Sequence, residues 1–148
     1  MSSYRKLIYH IVIRTKNNHH TLDQVSADNA YAYITGIIKK MNCHMYRING
    51  ISDHIHVLTD IHPSIAPIDF IRDVKANSSG WMKKSGFFPR FTGWSDGYGI
   101  FTCSYSSLDG LINYIINQQE HHRKTTFEEE FRDLLKEAGI EIDERFFP

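Results

Sequence analysis

The segment Ile51-Ser52-Asp53-His54-Ile55-His56-Val57-Leu58 constrains this chain most. Two histidines alternate with β-branched apolar residues, the period of a strand buried on at least one face. In that geometry His54 and His56 point one way while Ile55 and Val57 point the other. Two imidazoles held on one face of a rigid strand can chelate a single metal ion. Just upstream, Asn49-Gly50 is the preferred pair for a tight type I′ hairpin turn. The expectation is therefore a hairpin with strand 43–48, a turn at Asn49-Gly50 and a histidine-bearing strand ending near 61–63. Such a turn would set register and hold both histidines in place.

The rest of the chain is read around that hairpin. At 148 residues it is expected to form one domain spanning 1–148. No apolar run approaches the ~20 residues that span a bilayer, and residues 1–6 lack a secretory apolar core. The two cysteines, Cys43 and Cys103, are far apart, which disfavours a disulfide scaffold or a CxxC metal site. A reduced, cytoplasmic protein is expected. The formal charge of zero conceals an asymmetry. Residues 1–125 hold 14 Lys/Arg against 9 Asp/Glu, and residues 126–148 hold 3 against 8. A basic body with an acidic tail permits nucleic-acid binding without requiring it.

Residues 5–14 are rich in β-branched and aromatic side chains and read as a first strand. Ser26 is the expected N-cap of a helix to about Met41, with Ala30, Ile34, Ile37 and Ile38 at helical spacing. Ala66-Pro67 starts a second helix that places Ile68, Ile71 and Val74 on one face. Residues 83–97 read as irregular and 98–104 as a strand. Ser106 or Ser107 caps a third helix over 108–124, and a final amphipathic helix over 127–137 stops at Gly139. The order β-α-β-β-α-β followed by helices predicts a ferredoxin-like (RRM-like) α+β sandwich. Its antiparallel sheet would carry helices on one face, and the histidine strand would present an open face to a ligand.

The third helix supplies a second half-site. Tyr114 and Gln118 are four residues apart and share a face, which His121 and His122 extend. A phenol with a pKa near ~10 is a poor nucleophile at neutral pH. A divalent metal that polarises a phosphoryl oxygen offsets this. His54, His56 and the Gln118 carbonyl would supply three ligands, with Tyr114 beside the same phosphate; His121 or His122 are the alternatives to Gln118. That combination suits phosphodiester cleavage through a covalent phosphotyrosine.

At this point the chain resembles the single-tyrosine HUH transposases of small bacterial insertion sequences, relatives of the REP-associated tyrosine transposases. The resemblance begins at Tyr9-His10-Ile11-Val12-Ile13-Arg14-Thr15-Lys16 and includes Ser52-Asp53-His54-Ile55-His56-Val57-Leu58. It continues through Gly97-Tyr98-Gly99-Ile100-Phe101 and Tyr114-Ile115-Ile116-Asn117-Gln118-Gln119-Glu120-His121-His122-Arg123. It closes with Thr126-Phe127-Glu128-Glu129-Glu130-Phe131 and with 139–145. The resemblance implies that His54, His56 and Gln118 bind Mg²⁺ or Mn²⁺ and that Tyr114 is the nucleophile. It also implies single-stranded DNA with hairpins at element ends as substrate, a 5′-phosphotyrosine intermediate, a homodimer and no nucleotide cofactor. Two imidazoles ordinarily favour Zn, Cu, Fe or Ni over Mg, so the resemblance alone supplies Mg²⁺, and Mn²⁺ fits both arguments better.

Several other residues have expected roles. His10 reads as structural or as a support to the site, and Asp53 as the partner of a ligating histidine. His19, His20 and His44 read as surface residues, and His62 as a turn residue. Arg14 and Lys16 are expected to contact phosphates. Lys75, Lys83, Lys84 and Arg90, interleaved with Trp81, Phe87, Phe88 and Phe91, suit single-stranded nucleic acid, although at least half of those aromatics are expected in the core. Two other readings stay open: a non-catalytic single-stranded nucleic-acid-binding protein on the same fold, and a metal hydrolase that uses water in place of Tyr114.

Overall fold

The computed structural model describes residues 3–147. Strands β1 (Ile8–Arg14), β2 (Met45–Ile51), β3 (His54–Asp60) and β4 (Gly99–Cys103) alternate with helices α1 (Ala27–Lys40) and α2 (Pro67–Ser85). Helices α3 (Leu108–Ile116), α4 (Gln118–His121) and α5 (Phe127–Glu137) follow. The strands form one antiparallel sheet in the order β2-β3-β1-β4. This is the expected ferredoxin-like α+β architecture, with the histidine strand β3 in the interior of the sheet.

Strand alternation divides the labour between two faces. Ile11, Ile13, Ile55 and Val57 pack with Ile34 and Ile38 of α1 and Phe70, Ile71 and Val74 of α2. Burying each such side chain contributes about 1.5–3 kcal/mol relative to exposure. The opposite face carries His10, Val12, His54, His56 and Leu58. It is not open, as the alternation alone suggested. Leu58 packs with Leu108 and Ile115 of α3, and Val12 with Phe127 and Phe131 of α5. The C-terminal helices therefore roof the histidines, whose exposure falls to 0%.

The hairpin differs from its expected form. Asn49 and Gly50 lie within β2, opposite His56 and Ile55, and the two-residue connection is Ser52-Asp53. Neither Ser52 nor Asp53 has a positive φ, and neither do Asn49 and Gly50. What Gly50 supplies is space. A Cβ there would stand 2.8 Å from the Ile55 Cα and closer still to the His54 carbonyl oxygen. Asn49 has a different duty: its amide donates to the carbonyls of Ile115 (2.9 Å) and Ile116 (3.1 Å) at the end of α3. It also exchanges hydrogen bonds with the Gln119 side chain.

Those bonds account for a second departure. The helix expected over 108–124 breaks at Asn117 (φ −92°, ψ 20°) into α3 and α4. Carbonyls released at the break are satisfied by Asn49, so the break is stable. Ser107 and Ser26 precede their helices without a side-chain cap bond. Ile68 is 64% exposed; the buried face of α2 is formed by Phe70, Ile71, Val74 and Met82. Thr126 does cap α5, accepting from the Glu129 amide while its hydroxyl donates to the Glu129 carboxylate. Close packing finishes the roof: a Cβ at Gly99 would lie 2.7 Å from the Phe131 ring.

Two glycines should respond oppositely to alanine. Gly50→Ala forces β2 away from β3 and is expected to cost about 1–3 kcal/mol. Gly36→Ala, in mid-α1 with open space around it, should stabilise by about 0.5–1 kcal/mol. Urea unfolding midpoints check both. Asn49→Ala leaves two helix-end carbonyls unpaired and should cost about 1–3 kcal/mol. Amide exchange should then accelerate around the α3–α4 break, and equal protection in the variant would refute the anchoring role.

Candidate metal centre

β3 delivers His54 and His56 side by side beneath the roof, and α5 delivers Glu130 between them. Glu130 Oε1 lies 3.2 Å from His54 Nε2, 3.0 Å from His56 Nε2 and 3.1 Å from His122 Nε2. Its other oxygen, Oε2, accepts a hydrogen bond from the Tyr114 hydroxyl and one of 3.0 Å from Gln118 Nε2. Gln118 Oε1 lies 3.3 Å from His54 Nε2. One carboxylate thus touches the Tyr114 hydroxyl, both strand histidines and the glutamine that the sequence brings forward. His121 Nε2 comes within 3.3 Å of Glu130 Oε2 but makes no hydrogen bond.

An outer ring of polar groups orients the inner one. Asp53 Oδ1 meets His54 Nδ1 at 2.8 Å, as expected for the partner of a ligating histidine. His10 Nε2 meets His56 Nδ1 at 2.8 Å, and the two rings stack. The Thr125 carbonyl accepts from His122 Nδ1 at 2.7 Å. His10 is therefore a supporting residue, one of the two roles the strand position suggested. His19, His20 and His44 are exposed. His62 bonds Ser64 in the loop after β3.

Burial dominates the electrostatics. It pushes His56 down to about 4 and His10 down to about 3, so both stay neutral at pH 7. Burial also pulls on His54, but its bonds to Asp53 and Glu130 outweigh that and hold it above its ordinary value. Burial would raise Glu130; hydrogen bonds from His122, His54 and His56 overcome it and hold the carboxyl far below the usual range. The Tyr114 phenol is raised, first by burial and then by the Glu130 carboxylate. A phenol held protonated in this way needs an added positive charge to become a nucleophile at neutral pH. Imidazole nitrogens and a carboxylate are a donor set that fits a divalent metal. One donor atom each from His54, His56, His122 and Glu130 all fall within 4.8 Å of one another.

Sequence reading placed Tyr114, Gln118, His54 and His56 together, and they do meet. Glu130 it passed over as one of three consecutive glutamates. A signal was available: Phe127, Glu130, Phe131 and Leu134 share the i, i+3, i+4, i+7 face of α5. A carboxylate on an apolar stripe asks for a buried partner.

The expected DNA-contacting cations divide. Lys16, Lys75 and Lys83 line a groove of about 810 Å³ with Arg72, Trp94 and Tyr98. Lys75 also ties down the loop before β4, donating to the carbonyls of Ser95, Asp96 and Gly97 at 2.7, 2.9 and 3.3 Å. Arg14, opposite His54 in the sheet register, stands on the roofed face and bonds Asn18. Arg90 pairs with Asp23, and Lys84 is exposed on α2 outside the groove wall. Phe88 and Phe91 are core, Trp81 stacks on Tyr33, and Phe87 is 44% exposed. No helix among the described residues is long and apolar enough to cross a membrane.

Comparison with known proteins agrees with this fold. No curated protein matches the chain. A solved structure from Deinococcus radiodurans R1, assigned as a transposase, superposes with a TM-score of 0.62 at 23% identity. The match covers 80% of this chain and 95% of that one. A REP-associated tyrosine transposase bound to a REP hairpin superposes with a TM-score of 0.59 at 12% identity, covering 82% of this chain and 74% of that one. At those identities the likeness establishes the fold. The family model described as "Transposase IS200 like" matches residues 3–118, from the start of the described chain through Gln118. With that span containing β3, Tyr114 and Gln118, the chain belongs to the IS200-like transposase family.

Proposed function

We propose that this protein is a metal-dependent transposase that cuts and rejoins single-stranded DNA through a covalent 5′-phosphotyrosine on Tyr114. The observation that carries the reading is the convergence of the Tyr114 hydroxyl and the His54 and His56 Nε2 atoms on the two oxygens of one carboxylate. A scissile phosphate has the same requirement: one oxygen at a metal and its phosphorus beside the nucleophile.

His54 and His56 hold the divalent metal, Mg²⁺ or Mn²⁺ on the family pattern, with the Gln118 carbonyl within reach of the same point. When bound, the metal withdraws charge from the phosphoryl oxygen and favours the phenolate. The Tyr114 oxygen forms a bond to phosphorus as the bond from phosphorus to the 3′ oxygen breaks. The phenol gives up one proton and the departing 3′ oxygen gains one, ending as a hydroxyl. Glu130 Oε2, which already accepts the phenol's hydrogen bond, is the nearest acceptor for that proton. The phosphotyrosine keeps the energy of the broken bond, so rejoining by the reverse attack needs no nucleotide cofactor. His10 and Asp53 keep the two imidazoles oriented throughout.

Hairpin DNA at element ends is the proposed ligand, in keeping with the REP hairpin held by one structural relative. The groove lined by Lys16, Lys75 and Lys83, with Trp94 and Tyr98, suits a single strand that needs counter-charge and stacking. Arg14, Lys84 and Arg90, outside the groove lining, are further phosphate contacts on this reading. A homodimer acting in the cytoplasm completes the reading.

Incubation with a single-stranded hairpin end and Mn²⁺ should yield a protein–DNA adduct on a denaturing gel. Tyr114→Phe should abolish the adduct and His56→Ala should reduce it at least ~100-fold. Chelation with EDTA should stop the reaction, and added Mn²⁺ should restore it. An adduct that persists in Tyr114→Phe would remove the nucleophile assignment. Product release without any adduct would favour a water-using hydrolase. Binding without cleavage under every metal would favour a non-catalytic DNA-binding protein.

A further inference from the structure

Glu130 and His122 lie beyond the span matched by the family model, and both face the space between His54 and His56. We infer that this chain holds its metal with three histidines and one carboxylate, His54, His56, His122 and Glu130, a set that takes Zn²⁺, Co²⁺ or Mn²⁺ in preference to Mg²⁺. Gln118 is then a positioning residue that orients Glu130. The inference rests on the metal-centre reading of His54 and His56 and adds to it the ligand set and the class of ion.

Hydrogen-bond partners on the far side of two rings carry the argument. Thr125 offers His122 Nδ1 a carbonyl, which only accepts, so Nδ1 carries a proton and donates it. Asp53 offers His54 Nδ1 a carboxylate oxygen with the same consequence. In both rings Nε2 is therefore the atom that faces inward, meeting Glu130 Oε1 at 3.2 Å from His54 and 3.1 Å from His122. His56 Nε2 approaches the same oxygen at 3.0 Å. Three inward-facing Nε2 atoms now meet one anionic oxygen through protons, and a divalent cation can take the place of those protons. Among the described residues no lysine or arginine pairs with Glu130, which is 3% exposed. One divalent ion would serve all four of these donors at once.

Spacing and chemistry agree. Arms of about 2.05 Å to a tetrahedral metal put neighbouring donors about 3.4 Å apart; the three Nε2 atoms lie 3.0–3.2 Å from Glu130 Oε1, and all four donors fall within 4.8 Å of one another. Outward Nδ1–H bonds to a carboxylate and a carbonyl are the usual support of metal-ligating histidines. Imidazole-rich sets favour transition metals, whereas Mg²⁺ prefers oxygen donors and retains several waters. Gln118 has its Nε2 committed to Glu130 Oε2, and its neutral carbonyl competes poorly with the anionic oxygen beside it.

Co²⁺ titration of the full chain, read by visible absorption, tests this independently of cleavage. The expected result is a 1:1 complex with the intense bands of a four- or five-coordinate site, displaced by one equivalent of Zn²⁺ and not by a large excess of Mg²⁺. His122→Ala and Glu130→Ala should each change the band shape and weaken binding by more than ~100-fold, beyond the 10–100-fold typical of a supporting residue. Gln118→Ala should keep the band shape. His122→Gln and Glu130→Gln, with circular dichroism as the folding check, serve where an alanine variant does not fold. Band shape and affinity unchanged in the His122 and Glu130 variants, or lost in Gln118→Ala alone, would overturn the inference, as would Mg²⁺ displacing Co²⁺ stoichiometrically. The expected spectra without any DNA adduct would defeat only the transposase mechanism. Adduct formation with a metal held independently of His122 and Glu130 would defeat only this ligand set.

Discussion

A single buried carboxylate organises the second face of this protein. Glu130 enters an interior that penalises an isolated charge by several kcal/mol, and it is tolerated because three imidazoles, a phenol and an amide surround it. Removing it would leave those donors facing one another. Each element of the roof is consequently aimed by a polar contact as well as by packing. α3 contributes Tyr114, α4 contributes Gln118, and the turn beyond contributes His122. α5 contributes the acceptor that all of them share.

Apolar packing decides where that acceptor can stand. Phe127 contacts the His54 ring with centroids 4.6 Å apart, and Phe131 occupies the space left open by Gly99. Both flank Glu130 on α5, so the stripe that docks the helix also sets the depth of the carboxylate. The Thr126 N-cap, whose hydroxyl accepts from the Glu129 amide, fixes where the helix starts and hence which glutamate faces inward. Of three consecutive glutamates, helical phase buries Glu130 and leaves Glu128 and Glu129 in solvent.

Chemistry and stability are separated by the pleat of the sheet. Ile55 and Val57 serve the core while His54 and His56, on the same strand, serve the site. Such a strand cannot slip by one residue without burying imidazoles in the aliphatic core. Gly50 and Asn49 reinforce this from the neighbouring strand, the first through close backbone approach and the second through its grip on the end of α3. An edge-to-centre pair of strands thereby positions both halves of the site.

Much of this was legible in local pattern. Period-two alternation placed the two histidines on one face, the four-residue spacing placed Tyr114 with Gln118, and the element order announced the ferredoxin-like topology. These are properties of neighbouring residues, and the backbone geometry of strands and helices carries them directly. Whatever depends on contacts far along the chain was not legible. Asn49-Gly50 has the composition of a turn, yet it is strand, where a backbone carbonyl 66 residues away accepts from the Asn49 amide. The third helix breaks where that partner supplies its carbonyls. Glu130 and His122 become central only when α5 folds back over β3, 74 residues from His56 to Glu130. The sequence by itself determined which side chains share a face. Tertiary structure alone decided which faces meet, since burial and desolvation act on residues brought together in space, regardless of their separation along the chain.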